Sequence, residues 1–322
     1  MDAPARVQAA LRRPDRGPSV AVMDRILHLH LHLNPPLLAV ARAGKLGFAN
    51  RLTSALARLG WRVEVVAQSP AALARAPDLP GWVLLHMAKP THDRALTFRL
   101  AYHYPFWRIE RVAERWRWPV AAARFDPEGI GAEEAADFAA RLRARVLPGP
   151  VPLRGDHVLI PLQGQIRQLR SFQTMTPIRM VAAVAGTGRP CIATLHPREV
   201  YDDADRAALA ALVAEYPNLT VGGNTAALLR DCAFVAAQNS AVAFDGYILG
   251  KPAVLFAQVD FHHIALNVAD LGIEQALARA PDHRPDFASY LDWFLRRQAL
   301  DMMAPDADRQ IIAALRRGGL SL

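Results

Sequence analysis

Hydrophobic and polar residues alternate along short segments of this chain, and segments with helical periodicity separate them. In Arg25–Leu33 histidine alternates with leucine, a pattern typical of a strand with one apolar face. Trp82–Met87 and the apolar run His157–Leu162 are two further predicted strands. Because strands and helices alternate, the pattern predicts an α/β fold built on parallel sheets.

The alternation is most regular after residue 150, where strands and helices follow one another without a break. The predicted helices are Pro177–Ala185, Asp203–Glu215, Thr225–Asp231 and Ala241–Leu249, and the predicted strands are Pro190–Leu195, Leu219–Gly222, Ala233–Ala237 and Ala253–Ala257. In the first half the pattern predicts helices at Arg51–Leu59, Glu110–Trp116 and Glu133–Val146, and a strand at Arg62–Ala67.

The segment Pro148-Gly149-Pro150 is the best candidate for a linker. It divides the chain into an N-terminal unit, residues 25–147, and a C-terminal unit, residues 151–322. Residues 1–24 are rich in Ala, Arg and Pro and are expected to form a loose leader, with Met23 as an alternative start. A late helix at Tyr290–Leu300 is expected to cross back to the first unit.

Charge and cysteine content narrow the classes of partner and compartment. The formal net charge is +8, but the basic residues are spread along the chain and no aromatic-basic motif accompanies them, so nucleic acid is not a predicted partner. Contact with an anionic membrane surface stays open. No apolar run is long enough to cross a membrane. Cys191 and Cys232 lie in apolar contexts, which fits a reducing cytoplasm.

Three histidines, His28, His30 and His32, are predicted to share one face of the first strand. A zinc site is one interpretation, because imidazoles suit zinc. Residues on one strand face lie about 7 Å apart, however, too far for three of them to reach one ion without distortion. Packing under helices or lining a cleft is therefore the favoured interpretation, and no metal is predicted.

Polar signals follow several predicted strands of the second half. His196-Pro197-Arg198 follows one strand, and Gln238-Asn239-Ser240 follows another and begins a helix that carries Asp245. Ligands of open α/β sheets bind beyond the carboxyl ends of strands, and a helix N-terminus suits a phosphate. Each signal also has a structural interpretation, since Asn and Ser are common helix N-caps.

Four places in the sequence resemble the capsule polysaccharide biosynthesis family, which includes the Kdo transferases. They are Ile160-Pro161-Leu162-Gln163, His196-Pro197, Asn239-Ser240 with Phe244-Asp245, and Gly250-Lys251-Pro252 with the strand that follows. In the third place Asp245 stands where the family has Glu. The similarity covers roughly residues 158–268.

This resemblance implies a GT-B fold, two Rossmann-like domains facing a cleft, and transfer of a sugar from a CMP-Kdo-like donor to a polysaccharide or glycolipid acceptor. It implies no metal and no other cofactor, and a cytoplasmic enzyme with peripheral contact to the inner membrane or the export machinery as an open alternative. The donor-binding residues it implies are Gln163, His196, Arg198, Asn239, Ser240, Asp245 and Lys251.

One departure concerns the catalytic base. The family has an acidic residue shortly after the Pro-Leu-Gln element, whereas Gly164-Gln165-Ile166-Arg167 contains no carboxylate here. Glutamine cannot accept a proton from an acceptor hydroxyl. The candidates in the first half are His103 and Asp126. His103 lies among aromatic residues, and histidine is the residue type whose charge changes near neutral pH.

The loop Gly44-Lys45-Leu46-Gly47 is predicted to follow the first strand and begin a helix, and it is the candidate acceptor-side loop through Gly44, Lys45 and Gly47. A turn that simply needs glycine is the alternative. Two other functions stay open: a catalytically silent nucleotide-sugar-binding or scaffold protein, favoured by the missing carboxylate, and a UDP-sugar 2-epimerase-like enzyme, which shares the architecture.

Overall fold

Two six-stranded sheets organise the computed structural model, which describes residues 27–322; the predicted leader, residues 1–24, lies outside the described residues. The first sheet contains β1 (Leu27–Leu33), β2 (Trp61–Ala67), β3 (Trp82–His86), β4 (Ala95–Leu100), β5 (Phe106–Glu110) and β12 (Leu300–Asp301). The second contains β6 (Val158–Leu162), β7 (Cys191–Leu195), β8 (Leu219–Val221), β9 (Phe234–Ala237), β10 (Ala253–Leu255) and β11 (Leu266–Asn267).

Thirteen α-helices connect and cover the strands of the described chain. They are α1 (Pro35–Arg42), α2 (Gly47–Ala57), α3 (Pro70–Arg75), α4 (Pro119–Ala122), α5 (Ala132–Val146), α6 (Pro177–Ala185), α7 (Asp203–Glu215), α8 (Thr225–Asp231), α9 (Ala241–Ile248), α10 (Val268–Leu271), α11 (Ile273–Arg279), α12 (Phe287–Leu291) and α13 (Ala307–Arg317). The predicted α/β fold with two Rossmann-like sheets is confirmed.

The second sheet is parallel throughout, in the order β11-β10-β9-β6-β7-β8. The strand order reverses between β6 and β9, the place where doubly wound sheets bind ligands. The elements predicted for this half are confirmed to within a few residues, and α6, α7 and α8 have the predicted bounds.

The first sheet has the order β12-β5-β4-β3-β1-β2 and is mixed. Strands β1 to β4 are parallel to one another, whereas β5 is antiparallel to both β4 and β12. The helix predicted at Glu110–Trp116 is wrong, because Glu110 ends β5 and only Arg115–Arg117 forms a single 3₁₀ turn. Pairing with two neighbouring strands outweighs the weak local helical pattern.

The predicted direct connection from β1 through the glycine loop to a helix is also wrong. Helix α1 intervenes, with the Asn34 side chain as its N-cap and prolines at its start. Prolines in the first helical turn are compatible with a helix, because the N–H groups there have no partner within the helix. The loop of Gly44 and Lys45 therefore joins two helices.

The C-terminal residues return to the first sheet through β12 and α13. The predicted helix at Tyr290–Leu300 is replaced by α12 followed by a wide π-helical turn, Asp292–Arg297. Buried Arg108 of β5 donates to the carbonyl oxygens of Gln298 at 2.7 Å and Phe294 at 3.3 Å. These bonds use the carbonyl groups that the irregular turn leaves without helical partners.

One apolar core runs between the two sheets. Phe106 and Trp118 from the first half pack in the same buried cluster as Phe244, Tyr247 and Phe294 from the second. The two units are thus joined by a continuous hydrophobic interior. Within residues 27–322, every helix is too short or too polar to cross a membrane.

Candidate functional site

Three polar segments meet at the carboxyl edge of the second sheet, because β9, β6 and β7 are parallel neighbours. Gln163 follows β6, His196 follows β7, and Asn239 follows β9. The Tyr201 hydroxyl donates to the Leu162 carbonyl at 3.3 Å and accepts from the His196 backbone N–H at 3.0 Å. It therefore ties the ends of β6 and β7 together and places Gln163 beside His196.

Ser240 forms the N-cap of α9, and its hydroxyl accepts from the Val242 backbone N–H at 3.3 Å. Asn239 and Ser240 are both buried. The first N–H groups of a helix lack intrahelical partners and carry the positive end of its dipole. This helix start can therefore stabilise a negatively charged oxygen at the sheet edge.

The His196 loop carries cationic and acidic side chains out toward solvent. The Arg198 backbone N–H donates to His196 Nδ1 at 3.2 Å, and the Arg198 side chain is exposed. Glu199 in the same loop lies over Gly164, where a methyl group would collide with its carboxylate. A carboxylate thus faces the Pro-Leu-Gln element after all, supplied by another loop. In the sequence, the one sign that Glu199 belongs to this site is that it lies three residues after His196.

A hairpin of the first sheet reaches across to α9. His103, between β4 and β5, places Nε2 2.8 Å from Oδ1 of Asp245. The two side chains are 20% and 23% exposed, so solvent and small ligands can reach them. The contact joins one of the two base candidates with a predicted donor-binding residue. A carboxylate can only accept, so in the neutral imidazole Nε2 carries the proton and Nδ1 keeps its lone pair.

A buried polar network supports this hairpin. Tyr102 has a positive φ of 71° and stacks on Phe244 with 4.4 Å between ring centroids. Its hydroxyl donates to Asp260 and accepts from Arg115. Arg115 also donates to the Asn239 carbonyl at 2.8 Å. The network holds the hairpin that carries His103 against the start of α9. Sequence reasoning missed these residues, because they are distant from one another along the chain.

The candidate acceptor-side loop lies beside this hairpin. Gly47 begins α2, and a side chain there would crowd the hydroxyl of Tyr104, the residue after His103. Gly44 has a φ of +67°, and its carbonyl accepts from the Asn50 side chain at 2.7 Å. Lys45 is exposed. The loop and the hairpin thus lie next to each other at the same edge of the first sheet.

The structure does not bring Lys251, a predicted donor-binding residue, to the other polar segments. Lys251 precedes β10, at the amino edge of the sheet, whereas the polar segments described above follow the carboxyl ends. It is 4% exposed, and its ammonium group donates to the carbonyl oxygens of Leu153 and of Cys232, the latter at 2.9 Å. Burial lowers its pKa. The lysine thus connects the segment that follows the linker with the end of α8.

Asp126 lies in an exposed loop, where its carboxylate accepts from the Glu128 backbone N–H at 2.9 Å. This is a turn-forming contact within its own loop. Of the β1 histidines, His30 is engaged by the chain: its Nδ1 lies 3.3 Å from Glu64 and its Nε2 lies 3.1 Å from the Pro80 carbonyl. Across residues 27–322 no three His, Cys, Asp or Glu side chains form a group that could hold a metal ion.

The arrangement of both sheets is similar to that of KpsC from Thermosulfurimonas dismutans, a beta Kdo 2,7 transferase. The TM-score is 0.51 at 11% identity, over 91% of this chain and 99% of that chain. The chain shares its fold with a Kdo transferase. The resemblance seen in the four sequence motifs is thereby confirmed for the Kdo-transferase fold, and at this identity the similarity shows the fold alone.

Two further solved structures are more distant. The beta Kdo 2,4 transferase of the same KpsC has a TM-score of 0.43 at 14% identity, over 82% of this chain and 89% of that chain. A UDP-GlcNAc 2-epimerase from Methanocaldococcus jannaschii, solved with UDP-GlcNAc and UDP, has a TM-score of 0.32 at 9% identity, over 90% and 100%. Scores below 0.5 do not establish a shared fold. No family model matches the sequence, and no curated protein matches it.

Proposed function

We propose that this protein is a nucleotide-sugar glycosyltransferase that joins a sugar from a CMP-Kdo-like donor to a polysaccharide or glycolipid acceptor of the cell surface. The observation that carries the proposal is the 2.8 Å contact between His103 and Asp245. It brings a titratable base from one sheet to the ligand-binding edge of the other. Both sheets are needed for this arrangement, as expected for a two-substrate enzyme with its cleft between domains.

The donor phosphate binds at the start of α9 in this proposal. The helix N-terminus at Ser240 supplies N–H donors, Arg198 supplies positive charge, and His196, whose Nδ1 accepts from Arg198, offers an Nε2–H donor from the end of β7. Gln163, Asn239 and Ser240 contribute polar contacts at the same edge. When the bond between the anomeric carbon and the phosphate breaks, negative charge grows on the leaving phosphate, and these donors lower the barrier.

His103 serves as the base. Its Nε2–H donates to Asp245, which fixes the tautomer and leaves Nδ1 able to accept the proton of an acceptor hydroxyl. The hydroxyl oxygen then bonds to the anomeric carbon, the bond to phosphate breaks, and the nucleotide leaves with the bonding electron pair. Asp245 acts here as a positioning residue, a different role from the ribose contact implied by the resemblance.

Glu199 is the competing base, because its carboxylate lies over Gly164 directly after the Pro-Leu-Gln element. Glu199 is exposed, whereas His103 is partly enclosed and is oriented by a carboxylate. An oriented base is the more effective one, since it is held in one geometry. Glu199→Gln therefore accompanies His103→Ala in any kinetic comparison.

Calorimetric titration with CMP, UDP and GDP tests the donor site. One nucleotide is expected to bind saturably, with affinity reduced about tenfold or more in Arg198→Ala, since one charge-assisted phosphate contact is lost. Arg206→Ala removes an exposed arginine on α7 and is the matched control. Folded protein that binds no nucleotide would overturn the transferase proposal.

Turnover of the bound nucleotide sugar separates the alternatives. Slow donor hydrolysis without acceptor is expected of a transferase. Nucleotide binding without any turnover would indicate a silent binding or scaffold protein, and acceptor-independent conversion of the donor sugar would indicate an epimerase.

A further inference from the structure

A pocket of about 470 Å³ lies beyond the carboxyl end of β10 and is used by none of the residues assigned above. One wall is aromatic: Trp116 stacks on Phe172 with 4.8 Å between ring centroids and 30° between ring planes. Trp116 comes from the first half of the chain and Phe172 from the second. The pocket therefore lies between the two units.

The rest of the wall is rich in amides and contains one carboxylate. Gln173, Gln258, Asn267 and Asp270 all line it. Gln173 is 9% exposed, and its side-chain oxygen Oε1 accepts from the Arg170 backbone N–H at 2.9 Å. Its Nε2 has no hydrogen-bond partner anywhere in residues 27–322. A buried amide donor without a partner costs about 1–3 kcal/mol, so a ligand oxygen at this position would be favoured.

Charge sets the class of ligand. Among the described residues that line the pocket there is no lysine and no arginine, and Asp270 adds a negative charge. His262 also lines it, and its Nε2 is bonded to the Ala121 carbonyl at 3.0 Å. Arg170 lies over the Phe172 ring with 4.9 Å to its centroid and does not line the pocket. An aromatic face with amide and carboxylate groups suits a neutral ring rich in hydroxyl groups, and it disfavours an anion.

Two contacts connect the walls of the pocket with the start of α9. Arg115, next to Trp116, donates to the Asn239 carbonyl at 2.8 Å. Gln238, next to Asn239, donates from Nε2 to the Met175 carbonyl at 3.1 Å, close to the loop that forms the pocket wall. A ligand in the pocket would thus lie beside the start of α9.

We propose that this pocket binds a neutral glycosyl unit and discriminates against sugars that carry a carboxylate. The binding of a neutral sugar is inferred from the pocket itself. The inference rests on the proposed transferase function only in assigning that sugar to the donor or to the acceptor. A carboxylate-bearing sugar such as Kdo would be repelled by Asp270. If the donor is Kdo-like, the neutral unit in the pocket belongs to the acceptor.

Ligand-observed NMR on the full chain tests the pocket without any nucleotide. The probes are methyl glucoside and methyl galactoside, each paired with its uronic acid counterpart, so that the members of a pair differ only by a carboxylate. Neutral members are expected to bind at least about fivefold more tightly, because one added charge near Asp270 is repelled. Trp116→Ala should abolish binding of all probes.

Asp270→Asn is expected to remove most of the difference within each pair. Glu274→Gln removes an exposed carboxylate that does not line the pocket, and should leave the difference unchanged. Equal or tighter binding of the uronides, or no saturable binding of any glycoside, overturns the inference. The nucleotide titration is an independent test. Nucleotide binding without glycoside binding contradicts this inference alone. Glycoside binding without nucleotide binding contradicts the transferase proposal alone.

Addition of a neutral nucleotide sugar then distinguishes the two origins of the unit. Displacement of the methyl glycoside shows that the donor's sugar occupies the pocket. Simultaneous binding shows that the pocket holds a sugar of the acceptor.

Discussion

The two sheets differ in how they present polar groups to the space between them. The second is parallel throughout, so each strand ends at the same edge and delivers a short polar segment there. The first has an antiparallel side made of β4, β5 and β12, and the hairpin of residues 101–105 extends from its edge. The second sheet thus carries several short polar segments at one edge, whereas the first sheet contributes His103 from its hairpin.

In the proposed transferase, this difference amounts to a division of labour within one cleft. Binding groups that surround a phosphate can come from adjacent parallel strands, because their ends are neighbours. A base that must reach a second substrate has to project, and a hairpin held by a buried network can do so. Tyr102, stacked on Phe244 at 4.4 Å, anchors that projection in the core shared by both sheets.

The strongest test of this comparison removes the anchor. Arg115→Met is expected to lower the free energy of unfolding by about 3–5 kcal/mol, because it leaves Asp260, which is 0% exposed, as a buried charge without its cation. Denaturant titration measures the change. Arg117→Met, two residues away and exposed, is the control and should change stability by less than about 0.5 kcal/mol. Equal effects would contradict a role for the network.

The C-terminal return to the first sheet provides the next test. Leu315 of α13 is 0% exposed in the core beneath the first sheet, and Leu315→Ala should destabilise the protein by about 2–5 kcal/mol through the cavity it creates. Leu59→Ala, at a position 44% exposed, should cost far less. Hydrogen exchange should show protection lost first in β1 to β5, and uniform loss across both sheets would show that the sheets unfold as one unit.

Acid acts on both halves of the protein, since burial also lowers the pKa of His263 to about 4 and raises that of Glu110 on β5 to about 7, which opposes the loss. Two buried histidines of the first sheet nevertheless offer a direct test. Burial lowers the pKa of His32 on β1 and of His86 on β3 to about 4, from 6.5. Above pH 6.5 both are neutral in either state. As the pH falls toward 4, the unfolded chain binds protons that the folded chain does not, so stability is lost.

We expect a loss of about 2 kcal/mol for each of these histidines between pH 7 and pH 5. Denaturant midpoints across that range measure it, and the double variant His32→Gln/His86→Gln should show a shallower slope. An unchanged slope in the double variant would mean that other groups control the acid response.

The smallest expected effect on ligand binding is that of Lys251→Met. Two carbonyl groups lose their donor, so stability should fall by about 1–3 kcal/mol. Nucleotide affinity should stay within about twofold of the wild type, because Lys251 lies at the amino edge of the second sheet. A tenfold loss of nucleotide affinity would indicate that Lys251 contributes to the donor site.

The sequence predicts a sheet well where the contacts that determine it are local, and poorly where those contacts are distant along the chain. In the second sheet, caps and periodicity are local: Thr176 and Asp202 cap α6 and α7 through their own side chains, and both helices begin as predicted. The edge at which the polar segments gather follows from parallel topology alone. The segments at His196 and Asn239 could therefore be placed at one edge from the sequence.

In the first sheet, the determining contacts are distant along the chain. Strand β5 exists because β4 and β12 pair with it and Arg108 binds carbonyl groups of residues 294 and 298, and no local pattern contains that information. The partnership of His103 with Asp245 and the carboxylate of Glu199 over Gly164 likewise depend on tertiary packing. The same reason explains Lys251, whose partners at 153 and 232 are remote in sequence.

Single-turnover transfer from the bound nucleotide sugar, compared between wild type, His103→Ala and Glu199→Gln, tests the central claim most directly. The account predicts that His103→Ala slows the chemical step by about 10²–10⁴-fold with nucleotide affinity unchanged, whereas Glu199→Gln has little effect on the rate. A normal rate in His103→Ala, with the loss appearing in Glu199→Gln, would contradict it and place the base on the second sheet.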